Sequence, residues 1–220
     1  GYKVSDLLRA FKYDKEVFDK MKKLSGTSLL TSLCMIVYYE LDQIVISHFL
    51  GVEYVAVYGA ALSVLTLVRT FNSIVYSPYA SRYNHFVGFK DYEGLKSFVN
   101  KMITMFAPVL TIPIFTLALL AKPFVISWIG PNYVDASLLV TFLVLSFVPN
   151  FVKDPLSSYL VAMEKNRILV KFNILMPIVY WCGILLTINI WGLLSFALFK
   201  FIVPFITTIG YWFVVKKEFN

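Results

Sequence analysis

Val55–Pro78 reads VAVYGAALSVLTLVRTFNSIVYSP, a stretch with one charge, Arg69, and otherwise only hydroxyl groups and one asparagine to interrupt the apolar residues. As a helix it is about 36 Å long, enough to cross a hydrocarbon core of roughly 30 Å. No two-residue alternation marks it as a barrel strand. Five further stretches share its character, at about 25–49, 98–121, 137–161, 168–189 and 193–215. The connections between the six are short and carry turn residues: Gly51 to Tyr54, Ser81 to Ser97, Lys122 to Asp135, Glu164 to Arg167 and Asn189 to Gly192. The expected fold class is all-α, a polytopic membrane protein with six transmembrane helices over residues 25–220. Residues 1–24 are expected to form a separate amphipathic linker helix.

Composition agrees. Of 220 residues, 59% are hydrophobic and 15% charged, and the mean hydropathy is +0.73. Soluble domains carry roughly 25% charged residues, so a soluble enzyme is excluded. The net charge of +7 is explained by topology, without a nucleic acid partner. Sixteen Lys and Arg residues fall on one side of a six-span chain: seven before residue 24, then Arg82, Lys90, Lys96, Lys101, Lys165, Arg167, Lys171, Lys216 and Lys217. Lys122 alone falls on the other side. Basic flanks stay in the cytoplasm, which predicts that both termini are cytoplasmic. Cys34 and Cys182 lie within apolar spans and give neither a disulfide framework nor a metal site. No catalytic motif is present and no cofactor is expected. The chain starts on Gly1 with no apolar leader behind a basic start, so no signal peptide is expected, and the start itself points to a processed, renumbered or truncated chain.

In the first 24 residues, Val4, Leu7, Leu8, Phe11, Phe18, Met21 and Leu24 recur near helical spacing among charges. That pattern fits a helix on the cytoplasmic membrane surface, or a solvated juxtamembrane segment.

The remaining three cations, Arg69, Lys153 and Lys200, sit at membrane depth. A charge there costs about 2.5–3.5 kcal/mol on insertion scales and is expected to face a bundle interior or a wet cavity. Ser63, Thr66, Arg69, Ser73 and Tyr76 make a polar stripe on the second span, widened by Thr70, Asn72 and Ser77. Ser146, Asn150, Lys153 and Ser157 do so on the fourth, bordered by Asp154, with Pro149 and Pro155 predicting a bend. Lys200 precedes Pro204 by one turn on the sixth span. Three polar faces centred on cations predict an anionic ligand. The substrate-contact candidates are therefore Arg69, Lys153, Lys200, Asn150 and Asn72. The acids Asp42, Asp154 and Glu40 are candidates for ion coupling or for pairing with the cations. Glu40 and Asp42 are about 200° apart around a helix and do not share a face. For the charged residues among these, a purely structural ion pair is the competing reading.

Several short motifs, in order, carry a resemblance: Leu41-Asp42-Gln43-Ile44-Val45-Ile46-Ser47, then Phe49-Leu50-Gly51, Tyr58, Pro78-Tyr79-Ala80-Ser81-Arg82, a short helix over Asp91 to Leu95, and Ile129-Gly130-Pro131-Asn132-Tyr133. Across residues 25–165 this order resembles the bacterial polysaccharide (O-antigen-type) flippases of the multidrug/oligosaccharidyl-lipid/polysaccharide exporter superfamily. Members of that family have twelve or more spans in two six-helix lobes, so the resemblance implies that this chain is the second lobe. It also implies alternating access in the bacterial cytoplasmic membrane, with a lipid-linked oligosaccharide of the undecaprenyl diphosphate type as substrate. The implied partners are the missing N-terminal lobe, membrane lipids and a glycan polymerase. The diphosphate is the anion that would suit the cations, Arg69 first, and Asp42 matches the recurrent acid of this span. Three alternatives stay open: a multidrug or cation antiporter of the same superfamily, a six-span oligomeric carrier or channel, and a membrane scaffold for glycan-assembly enzymes.

Overall fold

The computed structural model describes residues 15–219. Over them the chain is helical, with no strand among the described residues. In chain order the helices are α1 (Lys15–Tyr39), α2 (Asp42–Phe49), α3 (Val52–Tyr76), α4 (Ala80–Gly88), α5 (Tyr92–Leu119), α6 (Ala121–Trp128), α7 (Ala136–Leu145), α8 (Asn150–Ala162), α9 (Asn166–Trp191) and α10 (Leu194–Phe219). Five stretches are long and apolar enough to cross a membrane: Ser25–Phe49, Val52–Gly88, Tyr92–Leu119, Asn166–Trp191 and Leu194–Glu218. The pair α7 and α8, bent by 41°, makes a sixth when taken as one broken span. The all-α membrane fold follows the sequence reading.

The bend in the fourth span shows how a membrane helix breaks at little cost. Pro155 has no N–H to give to the carbonyl of Phe151, four residues earlier. The Tyr76 hydroxyl donates to that carbonyl instead, at 3.3 Å. Thr208 Oγ1 donates to the Pro149 carbonyl at 3.3 Å, and Ser146 Oγ to the Leu143 carbonyl at 2.5 Å. Since lipid offers no hydrogen bonds, such side-chain donors keep a broken span viable. The first span breaks too, between Tyr39 and Asp42, and there Trp181 Nε1 donates to the Val37 carbonyl at 3.0 Å.

Three boundaries differ from the sequence expectation. The second span does not end at Pro78: after one 3-10 turn, Ser77–Tyr79, the chain continues as α4 to Gly88. Tyr83 of α4 is buried, because α4 lays an apolar edge on α5 and α8. Asp91 to Leu95, expected as a separate short helix, is instead the cap and first turn of α5, with the Asp91 carboxylate accepting from the Gly94 N–H at 2.9 Å. Within Lys122 to Asp135, expected as a connection, α6 forms because Ala121 and Val125 turn inward onto the core. Residues 15–24 run without a break into the first span as part of α1, and the readings for residues 1–14 lie outside the described residues.

Packing fixes where polar groups end up. The helix α9 packs on α10 and on α1, α3 packs on α7, and both α5 and α10 lie across α7 and α8. Two small residues permit the closest approaches, Gly183 against the Phe199 ring and Gly210 against Phe172. A large core runs through one end of the bundle, and a smaller one around Tyr83, Leu95, Val99, Leu156, Leu160 and Val215 fills the other. Leu119, Leu186 and Ile190 point outward and are largely exposed, as expected of residues meeting acyl chains. The α1 helix touches the bundle mainly through α9, which leaves a cleft between α1 and α8.

Candidate functional site

Two polar clusters occupy the interior of the spans, and they differ in access. The first is sealed. Asp42 opens α2, where unpaired helix N–H groups favour a carboxylate. Lys200 lies at the second turn of α10 and forms an ion pair with it. Asp42 is 0% exposed and Lys200 2% exposed. The Tyr58 hydroxyl donates to Asp42 Oδ2 at 2.5 Å, and Lys200 Nζ lies 3.4 Å from that hydroxyl. The ammonium also sits 5.4–5.9 Å from the ring centres of Tyr38, Tyr39, Tyr58 and Tyr180, within the range of cation–π attraction. A carboxylate, a phenol and a tyrosine cage together replace the water that an ammonium loses on burial. In this cluster Asp42 Oδ1 and the Tyr180 hydroxyl are buried without a hydrogen-bond partner among the described residues.

The second cluster is open. A cleft of about 510 Å³ lies between α1, α8, α9 and the end of α10. On its α1 wall are the hydroxyls of Thr27, Ser28, Thr31 and Ser32, spaced to share one helix face. Lys153, Asp154 and Ser157 of α8 line the same cleft. Asn72 Nδ2 of α3 donates to Asp154 Oδ2 at 2.8 Å, which ties the cleft to the polar stripe of the second span. Arg69 stands on that stripe, exposed, with its guanidinium 4.9 Å from the centre of the Tyr39 ring. The Tyr39 ring in turn lies within electrostatic reach of both Arg69 and Asp154. Among the described residues neither Arg69 nor Lys153 has a carboxylate within 4.0 Å. Of the other hydroxyls on the stripe, Ser63, Thr66 and Thr70 donate to carbonyls of their own helix at 2.7, 2.9 and 2.9 Å.

The sequence-derived candidates therefore divide. Arg69, Asn72, Lys153 and Asp154 gather on the open side. Asp42 and Lys200 occupy each other in the sealed cluster, and Glu40 is exposed at the break between α1 and α2. Asn150 is 6% exposed at the start of α8, its Oδ1 without a partner among the described residues. The three cations thus divide between two sites. Sequence reasoning missed two groups. The tyrosine cage had one visible sign, Tyr38 one turn before Asp42; Tyr180 had none. The α1 hydroxyl face was visible as Thr27, Ser28, Thr31 and Ser32 at four-residue steps.

Residues 28–182, more than two thirds of the chain, match the MatE family. The chain is also 26% identical over 133 residues to the uncharacterized membrane protein EpsK of Bacillus subtilis (strain 168), an overlap of 60% of this chain and 25% of that protein. It thus spans about a quarter of the length of the relative it matches. No solved structure matches. A family match over most of a multi-span helical bundle places the protein: the chain belongs to the MatE family of membrane transporters.

Proposed function

We propose that this chain is the second six-helix lobe of a transporter that flips a lipid-linked oligosaccharide, of the undecaprenyl diphosphate type, to the outer leaflet of a bacterial cytoplasmic membrane. The observation that carries this reading is Arg69. Its guanidinium sits at membrane depth, exposed on a polar stripe, with no carboxylate within 4.0 Å among the described residues. A guanidinium so placed is suited to a diphosphate, which it meets through two parallel hydrogen bonds. In this reading Lys153 is the second phosphate contact. The hydroxyl groups of α1, with Asn72 and Asn150, meet the polar portion of the substrate. A missing first lobe covers the stripe of α3, and the two lobes rock about the shared cavity. Both termini are cytoplasmic, a glycan polymerase is a partner, and transport is coupled to a cation.

Of the three acids, Asp154 is the coupling group we favour. It lines the open cleft and has a neutral partner, Asn72, whereas Asp42 already holds a resident cation, Lys200. Glu40 is the lesser candidate, exposed at the break in the first span. A second reading, a multidrug or cation antiporter, gains support from the same Asp154. Tyr211 lines the same cleft, and a carboxylate beside an aromatic ring suits an organic cation.

Arg69→Ala in the full-length protein separates the two readings. Loss of one charge-assisted contact, about 1.5–3 kcal/mol, lowers anion affinity by roughly ten- to a hundredfold. Surface polysaccharide falls sharply at unchanged protein level if flipping is the function. Unchanged polysaccharide together with drug resistance that depends on Asp154 supports the antiporter instead.

A further inference from the structure

A second cavity, about 410 Å³, lies between the first turns of α5 and the last turns of α10, with Leu156 of α8 at its base. Its floor is apolar and solid: Val99, Leu156 and Val215 are each 1% exposed. Its walls are Ile103 and Trp212, the latter 48% exposed. Its rim is polar, with Lys96 and Asn100 one turn apart on α5 and Lys216 one turn beyond Trp212 on α10. Glu93 also reaches the rim, where it pairs with Lys96 at 3.3 Å, and its side chain is 88% exposed.

This gradient runs from an apolar floor, past an indole, to ammonium groups at the span ends where the Lys and Arg residues cluster. An amphiphile with an acyl chain and an anionic head is the ligand that satisfies all three levels at once. The acyl chain covers Val99, Ile103 and Leu156, the glycerol region meets Trp212 at interfacial depth, and the phosphate meets Lys96, Asn100 and Lys216. The lining carries two lysines and one glutamate, and basic pockets between spans at this depth hold anionic lipid head groups. We infer that this groove is a binding site for an anionic phospholipid of the bilayer, clamping the start of α5 to the end of α10. The inference stands apart from the identity of the transported substrate, because the groove and the α1 cleft share no residue.

The test uses the purified full-length protein in native mass spectrometry, with phosphatidylglycerol and phosphatidylcholine as probes. The wild type is expected to retain phosphatidylglycerol in preference to phosphatidylcholine. Each lysine contributes about fivefold, so K96Q/K216Q lowers phosphatidylglycerol retention by roughly 25-fold. A second variant, Ile103→Trp, fills the apolar wall with both lysines intact and also expels the lipid. Unfolding midpoints in phosphatidylcholine nanodiscs identify which variants are folded and count in the comparison. Equal retention of the two lipids, unchanged phosphatidylglycerol binding in folded K96Q/K216Q, or displacement of the lipid by millimolar inorganic phosphate would each overturn the proposal.

Discussion

Lys200 and Arg69 are both cations set in apolar helices, and the bundle treats them in opposite ways. Lys200 is 2% exposed, with the Asp42 carboxylate, the Tyr58 hydroxyl and four rings around it. Arg69 is exposed, and among the described residues one ring stands by its guanidinium, that of Tyr39. A charge buried in a membrane helix is tolerated either because its neighbours neutralise it or because it faces water or ligand. The sealed pair takes the first route, and in the proposed reading Arg69 takes the second. A buried cation in a transporter is therefore no guide to substrate until its partners are known.

The largest predicted effect falls on the sealed pair. Lys200→Met leaves Asp42 charged and unpaired, and removing one partner of such a pair costs about 3–5 kcal/mol. Asp42→Asn combined with Lys200→Met recovers most of that loss, because a neutral pair of similar volume needs no counter-ion. Reversible unfolding in detergent or bicelles reads both variants. A single variant as stable as the wild type breaks the claim that the pair is sealed. Next in size is Tyr58→Phe, which removes a buried hydrogen bond to Asp42 and is expected to lower stability by about 1–2 kcal/mol. An unchanged midpoint in that variant shows that the carboxylate finds another donor, the Tyr180 hydroxyl being the nearest candidate. The smallest stability effect belongs to Arg69→Ala. It gives up only an exposed cation–π contact, about 0.5–1 kcal/mol, and a larger loss would mean that Arg69 is structural after all.

The spans were legible because their signal is compositional: each is a long apolar block bounded by turn residues. The bend of the fourth span was legible from Pro149 and Pro155, whose rings and missing N–H groups act locally. Pairing was not legible to the same degree. Asp42 and Lys200 are 158 residues apart, and helical phase alone left Lys200 and Arg69 as equal partners for an acid. Only the tertiary packing, which sets Lys200 beside Asp42 and Tyr58, decides between them. The stretch from Ser81 to Ser97 was misjudged for a different reason. Arg82, Asn84, His85 and Lys90 make it look like a loop, while Tyr83, Phe86 and Val87 supply the narrow apolar edge that makes α4 a helix. The hydroxyl face of α1 went unread because Ser and Thr at four-residue steps are as common in plain helix packing as in a binding wall.

The central claim is that Arg69, and not Lys200, is the cation the substrate meets. The direct measurement is surface polysaccharide from cells carrying the full-length protein as wild type, as Arg69→Ala, or as the Asp42→Asn/Lys200→Met double variant, at matched protein level. Export retained by the double variant and lost with Arg69→Ala is the result predicted here. Export lost with the neutralised pair and retained with Arg69→Ala would contradict it.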